Sequence, residues 1–535
     1  MAESLAEKVY LRKATGMVRG YSMWDMFVMN GNGVAPGAML AAIFVVMGAF
    51  YPGSNVFYAL LIAAPFVMCF ALSYGILAAC MPRSGGDYIF GSRVVHPVWG
   101  LAGSFMYNVA HFVADAATPI FALQYLLPVT IGLTMPDNPG AQAFAAWLKT
   151  PAVVLLGGTI LLALACGIAI IGRTVWRATN YLYFILGTVG CVVAIGVLAI
   201  YTPTGFQNAF NSYAAQYGTS FSDIMVRAQA AGWTATPVAF LPTMAAILYF
   251  YLYIFCAWPV YMGGEVKSGD KALPLSIIYS SIFGLVIALV TAGLFYNVIG
   301  YDWISAASYL AYNAPSSYPL PYVPELYTLV SILANNPIPT FLVGIGATLW
   351  TVSWLFNDNI LVSRTFFAWS FDRIFPTRLA TIHPRFKTPA AALIAAFLIT
   401  EAFLFIEMFT SIIGVLMNVA LLCSLSYLPA QFSCFLLPLR RKDLWEKGPS
   451  WTRIKIGPVP LASIVGLVSG VFLTMLIVAL VFIYPALGGP VNFYSLALLL
   501  TVYIICIAMY YGARYYHLKK EGIDVAWAFK EIPPA

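Results

Sequence analysis

Four polar residues recur at helical spacing inside one apolar stretch: Ser104, Asn108, His111 and Asp115. Steps of four, three and four residues place them on one face of a helix. Ionisable groups inside an apolar span are functional by default, and an imidazole one turn from a carboxyl can relay a proton or line a substrate path. The same stripe would also serve as a hydrogen-bond network between helices. A second polar group, Asn357-Asp358-Asn359, interrupts another apolar stretch. Its oxygens suit a hard cation, and the Asp358 carboxyl alternatively suits a proton. Two further interruptions carry backbone chemistry. Asn30-Gly31-Asn32-Gly33 breaks the first apolar stretch, and Cys256-Ala257-Trp258-Pro259 breaks a later one. Glycine and proline free backbone groups that lipid cannot satisfy, so such breaks persist where they line a cavity. A matched pair of breaks points to the binding site of a secondary transporter. The first predicts N–H groups and a positive helix end aimed at an anion. Asn30 and Asn32 add hydrogen bonds there, and Gly31 and Gly33 allow close approach. The second predicts carbonyls at Ile254, Phe255 and Cys256 facing an ammonium, with Phe255 and Trp258 shaping the pocket. Asp25 is expected to cap the first helix.

The elements that must hold these residues are membrane helices. Of 535 residues, 61% are hydrophobic and 9% charged, against about 25% charged in a soluble domain. Stretches of roughly 20 apolar residues mark spans, and we count twelve: 22–50, 55–81, 97–128, 151–171, 177–201, 239–264, 273–299, 338–368, 389–407, 409–437, 459–484 and 492–514. Positive charge sorts cleanly between the loops: with both termini cytoplasmic, 25 of the 27 Lys and Arg fall inside, leaving Lys149 and Arg227 outside. The predicted layout is a cytoplasmic tail 1–21, spans one to five over 22–201, an extracellular loop 202–238, spans six to ten over 239–437, a cytoplasmic loop 438–458, two more spans over 459–514 and a cytoplasmic tail 515–535. The outer loops 202–238 and 300–337 either hold short capping helices or are passive. Residues 1–20 show no signal-peptide core, so the first span acts as its own insertion signal. The net charge of +7 sits in short loops between spans, which makes the lipid bilayer, not nucleic acid, the partner. The eight cysteines lie in or beside apolar spans, without metal-ligand or disulfide-framework spacing. His96, His111, His383 and His517 are scattered, and no HExxH, nucleotide-binding glycine loop or pore-loop repeat is present, so neither an enzyme nor a channel is predicted.

Three stretches resemble the amino acid–polyamine–organocation superfamily of permeases. They are Met81-Pro82-Arg83-Ser84-Gly85-Gly86-Asp87-Tyr88 after span two, Gly264-Glu265-Val266-Lys267-Ser268 with Ala272-Leu273-Pro274 after span six, and Ser363-Arg364-Thr365 through Asp372-Arg373-Ile374-Phe375-Pro376 at the end of span eight. The tail from Glu521 looks like that of prokaryotic, often archaeal, members. The resemblance covers nearly the whole chain and implies an all-α polytopic membrane protein with a leucine-transporter-like fold. In that fold two five-helix inverted repeats carry broken helices 1 and 6, and two helices follow. It implies a secondary active transporter that moves an amino acid or related amine by alternating access across the cytoplasmic membrane, coupled to Na+ or H+ and needing no other cofactor. Exchange, facilitated diffusion and polyamine or cation transport are the neighbouring readings, and Asp115 would help hold a second amine.

By the same resemblance, the substrate carboxylate binds at the first break and Tyr251 falls where an aromatic gate stands. A sodium ion would lie against the first broken helix through Asn357 and Asp358. Two departures matter. Phe255 stands where a small residue is common, which would shrink the pocket or favour a flat ligand. No lysine occurs in 180–188, where proton-coupled members often place one. Arg83, Asp87, Glu265, Lys267, Arg364, Asp372 and Arg373 cluster on the cytoplasmic side and are predicted to form gate ion pairs.

Overall fold

The computed structural model describes residues 16–410, 419–483 and 493–533. The predicted N-terminal tail up to residue 15, the connection at 411–418 and the junction at 484–492 lie outside the described residues. In chain order the helices are α1 (Met23–Val34), α2 (Pro36–Phe50), α3 (Val56–Cys80), α4 (Asp87–Val94), α5 (Pro97–Phe121) and α6 (Leu127–Thr134). There follow α7 (Pro139–Leu148), α8 (Pro151–Ile171), α9 (Arg173–Ile200), α10 (Pro203–Ala214), α11 (Phe221–Ala230), α12 (Phe240–Ile254), α13 (Gly269–Ile299), α14 (Tyr301–Asn313) and α15 (Leu326–Ala334). The last six are α16 (Pro337–Phe371), α17 (Ala390–Phe409), α18 (Val419–Arg440), α19 (Lys442–Lys447), α20 (Leu461–Val478) and α21 (Phe493–Glu521). A π-helical turn, Ala122–Leu126, joins α5 to α6. Two short strands, β1 (Lys455–Ile456) and β2 (Val459–Pro460), pair antiparallel with Ile456 opposite Val459.

The protein is an all-α polytopic membrane protein. Eleven helices among the described residues are long and apolar enough to cross a membrane, α1 and α2 counting as one. The segment counted sixth from the sequence is a shorter apolar helix, because α12 stops at Ile254 and only 3-10 turns, Trp258–Tyr261 and Gly263–Glu265, continue it. The first break also falls elsewhere than the sequence suggested. Asn30 to Gly33 remain helical, and the chain turns at Ala35, at φ +35°. Pro36 contributes: a residue before proline is disfavoured in the right-handed α region, and Pro36 then starts α2 at a position needing no N–H.

Local caps set several ends. Ser22 and Asp25 form a reciprocal capping box on α1, and Arg177 holds the other Asp25 oxygen at 2.7 Å. Asn55, His96 and Asn336 cap α3, α5 and α16 with side-chain acceptors. Long spans meet through small residues, as lipid provides no hydrophobic drive between helices. A Cβ on Gly190 of α9 would stand 3.2 Å from the Gly346 Cα of α16. The segments 202–238 and 300–337 contain α10, α11, α14 and α15, whose aromatic core is Phe206, Phe210, Phe221 and Trp303.

Candidate functional site

The two breaks meet, and Asn30 is what joins them. Its Nδ2 donates to the Cys256 carbonyl at 3.1 Å and to Ser280 Oγ at 2.7 Å. Its Oδ1 accepts from the Trp258 N–H at 3.0 Å. A carbonyl only accepts and an amide N–H only donates, so these partners fix the orientation of the carboxamide. Asn30 therefore satisfies one carbonyl and one N–H of the segment that follows α12. Asn32 is equally committed. Its Nδ2 donates to the Asn180 carbonyl and Oδ1, and its Oδ1 accepts from Trp350 Nε1 at 3.0 Å. The Asn32 carbonyl accepts from Trp354 Nε1 at 3.0 Å. In this conformation the polar groups of the first break bond to protein. Gly31 lies against Phe184, and Gly33 lies so close to Trp258 and Cys256 that a Cβ would meet Cys256 Sγ at 2.5 Å.

Beside this junction is a cavity of about 300 Å³. Of the expected residues, Gly33, His111, Trp258 and Asp358 line it. Tyr253, Trp354, Thr351, Cys423, Tyr427, Thr118 and Phe121 also face it and were not anticipated from the sequence. Cys423 and Tyr427 are four apart on α18, a spacing that puts them on one face, but an apolar span offers many such pairs. Phe255 is absent from the wall. It is buried against Phe70 and stacks on Phe472 at 5.8 Å, so its ring points into the α3–α20 packing. Tyr251 is buried too. Its hydroxyl donates to the Ala420 carbonyl and accepts from Ser424 Oγ at 2.6 Å, which ties α12 to α18. Ile254 closes α12 and is buried.

The chemistry of the cavity centres on Asp358. His111 Nε2 lies 3.4 Å from Asp358 Oδ1. His111 Nδ1 lies 2.8 Å from the Tyr107 carbonyl. A carbonyl cannot donate, so Nδ1 carries a proton. Nε2 and Asp358 then face each other, an arrangement able to hold one proton on the ring or on the carboxyl. Asp115, one helical turn along α5, comes within hydrogen-bonding reach of Asp358 as well. Two of these carboxyl oxygens, Asp115 Oδ1 and Asp358 Oδ1, are buried and have no hydrogen-bond partner among the described residues. Asn108 is buried with both amide atoms unpartnered among the described residues, and Ser104 accepts from Trp369 Nε1. Asn357 donates to Ser353 on its own helix, while its Oδ1 has no partner among the described residues. No group of three or more His, Cys, Asp or Glu suited to a metal ion occurs among the described residues.

The charged residues predicted as a gate separate into distinct arrangements. Arg364 and Glu265 form a buried bidentate pair at 2.9 Å on both arms. Asp372 pairs with Arg93 at 2.7 Å, an arginine not among the predicted set, and accepts from Tyr88. Arg373 pairs with Glu521 of α21 at 2.9 Å. Arg83 donates to the Pro533 carbonyl, and Lys267 is exposed. Asp87 has phenol partners: it accepts from Tyr74 and Tyr261, each at 2.6 Å. Tyr261 stacks in turn on Tyr107 at 4.6 Å.

Burial pushes Asp87 up to about 6, with the Tyr261 and Tyr74 hydrogen bonds opposing it. A carboxyl raised on folding is more stable protonated. Its contribution is full below the unfolded value near 4 and disappears as pH rises to about 6. Thermal unfolding in detergent between pH 4 and 7 should show the parent losing about 3 kcal/mol more than Asp87→Asn. Parallel curves for the two proteins would refute this.

Comparison with known proteins agrees with this architecture. Residues 21–509 match the family described as amino acid permease. The chain is 27% identical over 365 residues to an uncharacterized transporter of Mycobacterium bovis, covering 66% of this chain and 68% of the relative. Two uncharacterized transporters of Mycobacterium tuberculosis match to the same extent.

Proposed function

We propose, from the premise that the chain belongs to the amino acid permease family, that it carries an amino acid or related amine across the cytoplasmic membrane by alternating access, with a proton as the coupling ion. The facing of His111 Nε2 and Asp358 Oδ1 at 3.4 Å, an arrangement able to hold a proton, supports this reading. The pair opens onto a cavity walled by Tyr253, Trp258 and Trp354, whose ring faces suit an ammonium. An arriving ammonium favours ionised Asp358 and displaces the proton, which couples the two. The substrate's non-ammonium end would extend toward Thr118 and Thr351. The distribution of Lys and Arg supports a cytoplasmic position for both termini.

Sodium at Asn357 and Asp358 is the second reading, and the buried, unpartnered Asn357 Oδ1 favours it. Against it, the Asn32 carbonyl that the first break offers already takes the Trp354 indole N–H. Uptake of radiolabelled amino acids and amines into proteoliposomes, with pH and sodium gradients imposed separately, decides between them. Accumulation on the pH gradient alone is expected. Accumulation on sodium alone would replace the proton reading, and counterflow without accumulation would make the protein an exchanger.

A further inference from the structure

A second chamber, of about 330 Å³, lies beyond the π-helical turn that follows α5. Gln124 and Tyr125 of that turn face it, three and four residues past Phe121 of the central cavity wall. Glu325 and Thr328 face it from the start of α15, and Tyr322, Tyr327 and Lys149 complete the wall. Two observations show a site and not merely a crevice. Thr328 is 3% exposed, and its hydroxyl has no hydrogen-bond partner among the described residues. Glu325 makes no ion pair with Lys149 or with any other base among the described residues, although it sits in an aromatic setting of Tyr327, Tyr312 and Tyr249. Glu325 is half-buried; a carboxyl partly removed from water without a counter-charge is costly, and it adds nothing to packing that a leucine would not.

We propose that this outer chamber binds a small organic ammonium ion, with the Glu325 carboxylate and Thr328 hydroxyl as acceptors and the Tyr125, Tyr322 and Tyr327 rings around its alkyl part. The chemistry selects a cation: a carboxylate and a hydroxyl both accept from N–H, and phenol faces attract positive charge. Its place suits an ion on the way to Asp358. Tyr249, one turn before Tyr253 of the central wall, is a neighbour of Glu325. That the ion is the transported cargo rests on the amine reading above; that the chamber binds a cation does not.

Burial pushes Glu325 up to about 7, and the ionised form is the one a cation needs. The groups facing it are Tyr327 of its own helix, Tyr312 of α14, Tyr249 of α12, Tyr322 of the preceding segment and Lys149 after α7. Phenols do not ionise between pH 6 and 8, so Glu325 sets any change in that window.

The test is saturation-transfer NMR on the full chain in nanodiscs. Benzylammonium is the probe and benzyl alcohol its neutral match. Asp358→Asn should retain benzylammonium binding, severalfold tighter at pH 8 than at pH 6. Adding Glu325→Gln should remove it, and adding Thr328→Val instead should weaken it severalfold and keep the pH dependence. Equal binding with and without Glu325→Gln, or equal binding of benzyl alcohol, would overturn the proposal. If the parent and Asp358→Asn bind alike and Glu325→Gln abolishes all binding, the outer site stands and the central amine site fails.

Discussion

Asp358→Asn should reduce pH-driven accumulation from about tenfold to about one, while the protein still folds. A gradient of one pH unit stores about 1.4 kcal/mol per proton, or roughly a tenfold accumulation at one proton per substrate. The asparagine keeps the shape of the side chain and can still meet His111 Nε2, now through its N–H. It cannot take up and release a proton. Nor can it present a negative charge to an ammonium, so apparent affinity should fall together with coupling. His111→Gln provides the control. It can preserve the bond to the Tyr107 carbonyl while removing the second titrating partner of Asp358. Asp115 remains as the neighbouring carboxyl, so reduced but measurable accumulation is expected. Accumulation by Asp358→Asn at the parental ratio would remove Asp358 from the coupling mechanism. The measurement is the ratio of internal to external label in proteoliposomes at fixed pH gradient.

Arg364→Met should destabilise the protein by about 3–5 kcal/mol, because it strands the Glu265 carboxylate in a buried site. Arg364 is 1% exposed and Glu265 4% exposed. The pair is bidentate, at 2.9 Å on both arms. Glu265 also holds the amino-terminal segment, since its carbonyl accepts from the Gly20 and Tyr21 N–H groups. Losing the pair thus loosens α16, the segment after the second break and the approach to α1 together. Replacing both residues, Arg364→Met with Glu265→Leu, should recover most of the loss, as matched apolar substitutes for buried ion pairs often do. Thermal unfolding of the four proteins forms a double-mutant cycle. A single-mutant loss within a few tenths of a kcal/mol would show that the pair carries no stability.

The contrast between the two breaks shows what could be read and what could not. Proline and glycine announced both interruptions, because their effects are local. The position of the first could not be read from its glycines. Pro36 displaces the turn to Ala35, while Asn30 to Gly33 stay helical and direct their amides across the fold. That Asn30 would cap a helix end 226 residues away is a matter of long-range placement. Phe255 illustrates the same limit: its type suggested a smaller pocket, yet its ring packs on Phe70 and Phe472.

The sequence by itself determined that the chain is a helical membrane protein, which stretches are apolar and where positive charge lies, since these depend on composition and one-dimensional spacing. Three motifs in order also identified the family, and the period of 104, 108, 111 and 115 put those residues on one face. Only the tertiary structure decided which carboxylates meet. Asp358 is 247 residues from His111, and nothing local couples them. They face each other because α5 and α16 pack side by side, and partner identity in a packed bundle is a property of helix placement, not of spacing along the chain.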